Sequence, residues 1–494
     1  MPLRICFVTA EMAPYAKTGG LADVSGALSK YLHAAGHDVR AFMPAYASIR
    51  RDEFGLYPLE GLQHQSLQLG SRHFEYSVLG VRGEGLPGVH LIDCPALYAR
   101  GALYTTDPDE HLRFLLLTHA AFLCCQRLRF APQILHFNDW HTGLGPLLSR
   151  TLYVHDSLFA AARSVLTVHN IGYQGIISSS ALPELLPAGE AAWLDQSELA
   201  AGRINLLRTG LTYADLITTV SPTYAREIQG AEYGMGLDAV LRTRSEAIVG
   251  ILNGVDYDEW DPRHDRYLPR HFDAHALEVK AALKGELMQR FGLDGGPGRA
   301  LIGIVSRLAA QKGFDLLFQA LPTLLLSREF NLIALGSGEP RYEEFFTMLQ
   351  RRYPTRVHFR SGYDDELAHW IEAASDMFLM PSRYEPCGLN QMYSLRYGSV
   401  PIVRRTGGLA DSVQQFDTGS GRGTGVVFND YDVSGVLWAV GTALNWYAQP
   451  QLWRRLVQNG MAQDFSWSRQ VPLYVEAYER LLAPGSAPKA PSAP

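Results

Sequence analysis

Short apolar runs, many of which lead into a turn and an amphipathic helix, recur along both halves of the chain. These runs begin at Arg4, Asp38, Gln133, Ser164, Leu216, Leu301, Asn331, Arg356, Met377 and Val400. Continuous apolar strands that alternate with helices are typical of parallel sheets covered by helices on both faces. The pattern therefore predicts an α/β protein made of two Rossmann-like, doubly wound domains.

A polar stretch without periodicity, WDPRHDRYLPRHFDAH from Trp260, interrupts this pattern. We place the domain boundary just before it, which gives an N-terminal domain of residues 1–255 and a C-terminal domain of residues 256–465. Later apolar residues at helical spacing predict a final helix at about 466–483. This helix could dock on either domain, and we assign it to the first. Residues 484–494 are rich in Ala, Pro and Ser, and we expect them to form a disordered tail.

The bulk composition narrows the class of protein. A chain of 494 residues is too long for a single core, which agrees with two domains. The net charge of -6 argues against nucleic acid as the main partner. The longest apolar run, from Phe114, is interrupted by Thr118 and His119 and is too short to span a membrane. Five scattered cysteines without a C-x-x-C pair indicate reduced thiols. We therefore expect a cytoplasmic protein that binds neither nucleic acid nor membranes.

One six-residue segment, TGGLAD, occurs twice, at Thr18–Asp23 and at Thr406–Asp411, and follows a cation each time, Lys17 and Arg405. Paired glycines let a ligand approach the backbone closely, and we expect a helix to begin at Leu-Ala-Asp in each copy. The helix N-terminus and the cation both favour an anion. A single copy would be read as a tight turn, but two copies favour a phosphate-binding turn in each domain.

Polar and charged residues follow two strands of the predicted second domain. Arg307 and Lys312 come after one strand, and their spacing suits a diphosphate. Glu385 comes after another, in a loop that continues with Cys387 and Gly388 into a helix. Its carboxylate could bind a sugar hydroxyl or stabilise positive charge, or it could simply meet the dipole of that helix. Ligands of doubly wound sheets bind beyond the carboxyl ends of the strands, which favours a functional role for the two cations.

Two strands of the first domain are followed by residues typical of carbohydrate sites. They are Asn138, Asp139, Trp140, His141, His169, Asn170 and Tyr173. Aromatic rings stack on sugar faces and polar groups bind hydroxyls, although such loop residues could equally hydrogen-bond one another. A metal site is not predicted, because the histidines at H-x-x-x-H spacing, His271 and His275, lie in the linker.

The segments KTGGLADV, HFNDWHTG, TVHNIGYQG, TTVSPTYAREI, LNGVDYDEWDP, SRLAAQKGFDL, RYEPCGLNQMYSLRYG and VRRTGGLADSV resemble bacterial glycogen synthases and the related plant starch synthases. The resemblance runs from about Ile5 to about Leu482. It implies the GT-B fold, in which two Rossmann-like domains face a deep interdomain cleft. It also implies a retaining transfer of glucose from ADP-glucose to the non-reducing end of an α-1,4-glucan, without a metal or another cofactor.

The resemblance also implies roles for individual residues. The implied catalytic set is Lys17, His169, Arg307, Lys312 and Glu385. Further substrate contacts are implied for Gly19, Gly20, Asp23, Asp139, Asn170, Cys387, Gly388, Leu389, Thr406 and Gly407. In this family the cations neutralise the diphosphate, and Glu385 contacts the donor glucose. Whether Glu385 acts chemically or only positions the donor stays open at the level of sequence.

Alternatives remain at this stage. Another GT-B transferase, such as a sucrose- or trehalose-type synthase, would share the cations and the acidic loop but should lack KTGGLADV. A glucan-binding protein without activity would not need Lys17, His169, Arg307, Lys312 and Glu385 together. The residues do not distinguish ADP-glucose from UDP-glucose, and they leave open whether the chain forms a homo-oligomer.

Overall fold

The computed structural model describes residues 2–83, 88–187, 189–483 and 485. The chain divides into two compact units. Unit 1 contains the residues up to 220, residues 225–251 and the chain from 467 onwards, and unit 2 contains residues 221–224 and 252–466. The predicted disordered tail at 484–494 lies outside the described residues, apart from Gly485.

Unit 1 is built on a mixed sheet that is parallel at its centre. Its strands are β1 (Arg4–Val8), β2 (Asp38–Pro44), β3 (Leu56–Pro58), β4 (Gln65–Leu69), β5 (Arg72–Val81), β6 (Gly88–Asp93), β7 (Ile134–Asn138), β8 (Arg163–Val168), β9 (Ile176–Ser178), β10 (Arg203–Asn205), β11 (Leu216–Thr219) and β12 (Ile248–Gly250). The large sheet has the order β12-β11-β8-β7-β1-β2-β6-β5-β3, with β4 paired to β5. Strands β3, β4 and β5 pair antiparallel. The short strands β9 and β10 form a separate pair.

Helices flank this sheet in the order that the sequence pattern predicts. The helices up to residue 251 are α1 (Gly20–Ala34), α2 (Pro95–Tyr98), α3 (Glu110–Arg127), α4 (Gly145–Arg150), α5 (Leu182–Leu185), α6 (Gln196–Ala200), α7 (Leu206–Tyr213), α8 (Pro222–Glu227) and α9 (Asp238–Thr243). Strands β1 and β7 are buried along nearly their whole length, because helices cover both faces of the sheet.

The final helix, Trp467–Leu482, is part of unit 1. Trp467 and Tyr478 are almost completely buried in the unit. The Tyr478 hydroxyl is hydrogen-bonded to Nδ1 of His136 on β7 at 2.7 Å. The last segment of the chain thus returns to the middle of the first sheet.

Unit 2 contains a fully parallel sheet of order β15-β14-β13-β16-β17-β18. Its strands are β13 (Ala300–Val305), β14 (Phe330–Gly336), β15 (Val357–Ser361), β16 (Met377–Met380), β17 (Val400–Arg404) and β18 (Val426–Phe428). Its helices are α10 (Leu277–Arg290), α11 (Phe314–Ser327), α12 (Pro340–Arg352), α13 (Asp365–Ala374), α14 (Asn390–Tyr397), α15 (Gly407–Ser412), α16 (Val433–Tyr447) and α17 (Pro450–Met461). The predicted pair of doubly wound α/β units is confirmed.

Short 3₁₀ turns complete the two units. They are Trp140–Thr142, Ser179–Ala181, Glu190–Trp193, Ser245–Ala247, Gly296–Gly298 and Ala310–Lys312. Within the described part of the chain, no helix combines the length and the apolar character needed to cross a bilayer.

Candidate active site

The first TGG turn connects β1 to α1 and is exposed at Gly19 and Gly20. The carboxylate of Glu11 accepts the Thr18 N–H at 2.5 Å, the Thr18 hydroxyl at 2.6 Å and the Gly19 N–H at 3.3 Å. An anion of the protein thus already lies against the start of this turn, where helix N-terminal amides favour negative charge. Gly20 is the first residue of α1, so the helix begins one residue earlier than the sequence predicted.

Lys17, directly before this turn, forms an ion pair with Asp23 at 2.7 Å. The lysine side chain is 38% exposed and its partner 24% exposed. Such a partly exposed pair adds little to stability, but it restricts where the ammonium group points. Asp23 therefore orients Lys17 in this structure.

The second TGG turn is buried, unlike the first. The N–H of Gly408 donates to the carbonyl oxygens of Glu385 at 3.1 Å and Pro386 at 3.3 Å. Gly407, the first residue of α15, has φ +44°, and a Cβ there would collide with the Glu385 carbonyl. Identical six-residue segments thus serve different purposes: the first presents its glycines to solvent, and the second supports the backbone of the Glu385 loop.

The two copies offer a matched pair of substitutions. Gly407→Ala is expected to lower the melting temperature of the protein clearly, because the added methyl group meets a carbonyl and φ is positive. Gly19→Ala is expected to leave it nearly unchanged, because no atom lies within 4 Å of a Cβ there and φ is −164°. Scanning calorimetry of both variants measures the difference. Equal melting temperatures would contradict the different packing of the two turns.

Unit 2 brings Lys312 and Glu385 together at the carboxyl edge of its sheet. Lys312 Nζ lies 2.7 and 3.0 Å from the two carboxylate oxygens of Glu385. The Ser382 hydroxyl donates to one of them at 3.0 Å. Glu385 is only 4% exposed, so its charge depends on these partners. This ion pair is more strongly buried than the pair of Lys17 and Asp23.

Arg307 follows β13 and is exposed. Its Nη2 is 3.5 Å from Oε1 of Gln311, the residue before Lys312. Gln311 in turn reaches the loop of Glu385, since its side chain donates to the carbonyl of Tyr384 at 3.4 Å. The structure therefore joins Lys312 directly to the predicted acid and connects Arg307 to the same loop through Gln311.

The residues after Glu385 are held through their backbone. The side chain of Gln391 donates to the carbonyls of Cys387 at 3.1 Å and Gly388 at 3.0 Å. Gly388 has φ +73°, which only glycine adopts easily. Leu389 occupies the N-cap position of α14, without a side-chain hydrogen bond to the helix. Burial raises the pKa of the Cys387 thiol, so this cysteine is uncharged and structural in character.

Unit 1 brings Asp139, His169 and Asn170 together at the ends of β7 and β8. Oδ1 of Asp139 accepts the N–H of His169 at 2.7 Å and that of Asn170 at 3.4 Å. Nε2 of His169 is hydrogen-bonded to Oδ1 of Asn138 at 2.9 Å. Burial raises the pKa of Asp139 to about 7 and lowers that of His169 to about 3. His169 is therefore a neutral imidazole at pH 7, whereas the pKa of Asp139 lies close to that pH.

The aromatic candidates of this unit divide into buried and exposed rings. Trp140 stacks on His141 with ring centroids 4.1 Å apart. A Cβ at Gly175 would collide with the indole of Trp140. His141 is buried and its pKa is lowered to about 3 by burial. Tyr173 is 51% exposed. Trp140 and His141 thus mainly shape the loop, whereas Tyr173 offers a ring face at the surface.

Sequence reasoning missed Glu11, which holds the start of α1 and also accepts a hydrogen bond from the hydroxyl of Tyr104. A signal was present, because Glu11 follows β1 as directly as the predicted residues follow their strands. Nothing local marked Tyr104, which comes from a loop far along the chain.

Comparison with known proteins places this arrangement in a family. The family described as "Starch synthase catalytic domain" matches residues 4–243, and "Glycosyl transferases group 1" matches residues 289–460. The glycogen synthase of Anaeromyxobacter dehalogenans (strain 2CP-C) is 45% identical over 98% of this chain and 100% of its own length. The chain belongs to the glycogen and starch synthase family. The glycogen synthase of Thermotoga maritima is 40% identical over 97% of this chain and 99% of its own length.

Two solved structures agree with the fold. The catalytic domain of starch synthase IV from Arabidopsis thaliana, bound to ADP and acarbose, matches with a TM-score of 0.90 and 35% identity over 98% of this chain and 100% of that one. Sucrose-phosphate synthase from Thermosynechococcus elongatus matches with a TM-score of 0.59 and 18% identity over 97% of this chain and 99% of that one, which shows the shared fold alone. This member of the glycogen and starch synthase family therefore has the GT-B fold and is a glycosyltransferase that transfers glucosyl groups to a glucan.

Proposed function

We propose that this enzyme transfers glucose from ADP-glucose to the non-reducing end of an α-1,4-glucan, with retention of configuration, and so elongates glycogen and releases ADP. The observation that carries the proposal is the Lys312–Glu385 pair, to whose loop Arg307 is connected through Gln311, in a chain of this family. The ADP in the related starch synthase structure supports the choice of nucleotide.

Unit 2 binds the donor in this proposal, and its cations stabilise the leaving group. Arg307 offers a planar fork of N–H donors, and Lys312 offers a point charge. An ammonium group has three donors, so Lys312 can bind Glu385 and still reach a phosphate oxygen. Stabilising the negative charge that develops on the diphosphate lowers the barrier to departure of ADP. The backbone of Cys387, Gly388 and Leu389 completes the donor contacts, whereas the buried Thr406 and Gly407 support the Glu385 loop from within unit 2.

Glu385 acts mainly by position and charge in this mechanism. Both of its oxygens face Lys312, and one also accepts the Ser382 hydroxyl. A carboxylate engaged in this way is a poor nucleophile but stabilises an oxocarbenium-like transition state on the donor glucose. We therefore favour departure of ADP from the same face of the sugar that the acceptor attacks, without a covalent glucosyl-enzyme.

Unit 1 contributes acceptor and phosphate contacts in this proposal. Lys17, oriented by Asp23, supplies a further cation to the diphosphate beside the exposed turn at Gly20. His169, Asp139 and Asn170 hold the reacting sugars, with His169 as a neutral ring that can donate or accept a hydrogen bond. Transfer takes place in the cytoplasm and needs no metal or other cofactor.

The decisive experiment is the transfer of radiolabelled glucose onto glycogen from ADP-glucose and, separately, from UDP-glucose, each with and without a chelator. We expect efficient label incorporation from ADP-glucose, much less from UDP-glucose and no effect of the chelator. Glu385→Gln, which keeps the shape of the side chain, is the matched control and should incorporate about a hundredfold less label.

Other outcomes would point to the alternatives. Label that appears only in small soluble sugars would indicate a sucrose- or trehalose-type synthase. Glycogen binding without transfer from either donor would indicate a binding protein. Faster transfer from UDP-glucose would overturn the proposed donor while leaving the reaction class in place.

A further inference from the structure

Three potential metal ligands converge in unit 2 on residues that the proposed reaction does not use. One side-chain ligand atom each from Glu259, Asp365 and His369 lies within 4.8 Å of the others. Asp365 is the first residue of α13, and His369 lies four residues further along it, so both side chains share one face of the helix. Glu259 comes from the stretch that precedes the helices of this unit. The cluster therefore joins a long connecting segment to α13.

The histidine is oriented by a second carboxylate behind it. Nδ1 of His369 is hydrogen-bonded to Oδ2 of Asp265 at 2.7 Å, and the same oxygen accepts the Tyr397 hydroxyl at 2.6 Å. A carboxylate oxygen only accepts, so Nδ1 of His369 carries the hydrogen of this bond. Nε2 is therefore the ring nitrogen that can bind a cation.

Nε2 of His369 is buried and has no hydrogen-bond partner among the described residues. Buried polar atoms are almost always paired, so this atom requires an explanation. The ring cannot easily turn away, because Trp260 stacks on it with centroids 3.7 Å apart and Tyr267 packs on it at 4.7 Å. The imidazole ring is thus held in place next to two carboxylates.

We propose that Glu259, Asp365 and His369 bind a Zn²⁺ ion. One imidazole and two carboxylates suit this borderline cation, whereas Ca²⁺ and Mg²⁺ prefer oxygen ligands alone. The carboxylate behind the histidine is the arrangement that orients metal-binding imidazoles in many proteins, with Asp265 in that position here. The ion fastens the segment of Glu259 to α13 and is independent of the proposed glucosyl transfer.

Two neighbouring hydroxyls orient one ligand of this site, and one neighbouring cation opposes the binding of an ion. The hydroxyls of Tyr267 and Tyr363 donate to the two oxygens of Asp365, each at 2.8 Å, and so fix the orientation of this carboxylate. The positive charge of Arg266 acts on both Glu259 and Asp365, which opposes a cation. Bound Zn²⁺ must therefore compete with this exposed guanidinium group.

The test is calorimetric titration of Zn²⁺ into the full-length protein after treatment with a chelator. We expect one strong site per chain and a higher melting temperature with Zn²⁺. Glu259→Gln removes an exposed ligand without disturbing the buried core, and it should weaken binding at least tenfold. Glu366→Gln on the same helix is the matched control, since that exposed side chain pairs with Arg290 instead.

Asp365→Asn should weaken binding as Glu259→Gln does, whereas Glu366→Gln should bind like the unsubstituted protein. The proposal is overturned if the unsubstituted protein binds no stoichiometric Zn²⁺, or if Glu259→Gln and Glu366→Gln bind it equally well. Binding that persists in Glu259→Gln would place the ion on other histidines. Transfer activity plays no part in these readouts, so they do not depend on the proposed reaction.

Discussion

Replacing Lys312 with alanine is expected to lower the turnover number for glucosyl transfer by about a hundredfold or more. The ammonium group of Lys312 lies 2.7 Å from Glu385 and, in the proposed mechanism, also neutralises the departing diphosphate. Removing it withdraws that stabilisation from the transition state. Initial rates with saturating ADP-glucose and glycogen measure the loss, and near-normal turnover would refute the assignment.

The same substitution also affects stability, and the two effects can be separated. Without Lys312, the buried carboxylate of Glu385 loses its charged partner, which costs about 3–5 kcal/mol in comparable buried pairs. The double variant Lys312→Ala/Glu385→Gln removes the uncompensated charge and should regain melting temperature but not turnover. Lys30→Ala, at a partly exposed lysine of α1, controls for the loss of a lysine as such. A lower melting temperature with near-normal turnover in Lys312→Ala itself would mean that Lys312 acts only on structure.

The parallel strands and the residues at their carboxyl ends could be predicted because their signals are local. Strands buried on both faces read as continuous apolar runs, and Arg307, Lys312 and Glu385 follow such runs directly. The antiparallel strand Arg72–Val81 was missed, because exposed and buried residues partly alternate along it. That pattern is typical of a strand with one solvated face.

The environments of the two TGGLAD segments could not be predicted, because they depend on residues distant in sequence. Gly407 is buried because the loop of Glu385 packs on it, whereas Gly19 has no such neighbour. The same holds for Glu11 and Tyr104, which meet across a long interval of chain. Local sequence sets the turn, and tertiary packing decides whether its glycines meet a ligand or the protein itself.

Acidification from pH 7 to pH 5 is expected to destabilise unit 1 strongly, because this unit buries several neutral histidines. Burial lowers their pKa values to about 4 for His90 and His119 and to about 3 for His136, His141 and His169. Between these values and the ordinary pKa of about 6.5, the unfolded chain binds protons that the folded unit does not. The contribution of these histidines to the free energy of unfolding is therefore fully present above about pH 6.5 and decreases as the pH falls.

The stability lost through the buried histidines exceeds the stability gained through Asp139. Each such histidine contributes about 2 kcal/mol less stability at pH 5 than at pH 7, and the group together approaches the whole stability of a typical domain. Asp139 acts in the opposite direction, because its pKa is raised to about 7 and its folded form binds the extra proton. Its gain over the same range is also about 2 kcal/mol, so it offsets only one histidine.

Hydrogen exchange of peptides from β7 and β8, measured at pH 7.5, 6.5 and 5.5 with correction for the intrinsic rate, reports this change within unit 1. His119→Gln should flatten the pH dependence, since it removes one buried titrating ring that is hydrogen-bonded only to the Tyr153 hydroxyl and lies outside the candidate active site. His155→Gln replaces an exposed histidine of the same unit and should leave the dependence unchanged. If both variants followed the unsubstituted protein at every pH, the buried histidines would not be the source of acid sensitivity, and the loss would have to come from the carboxylates of the unit.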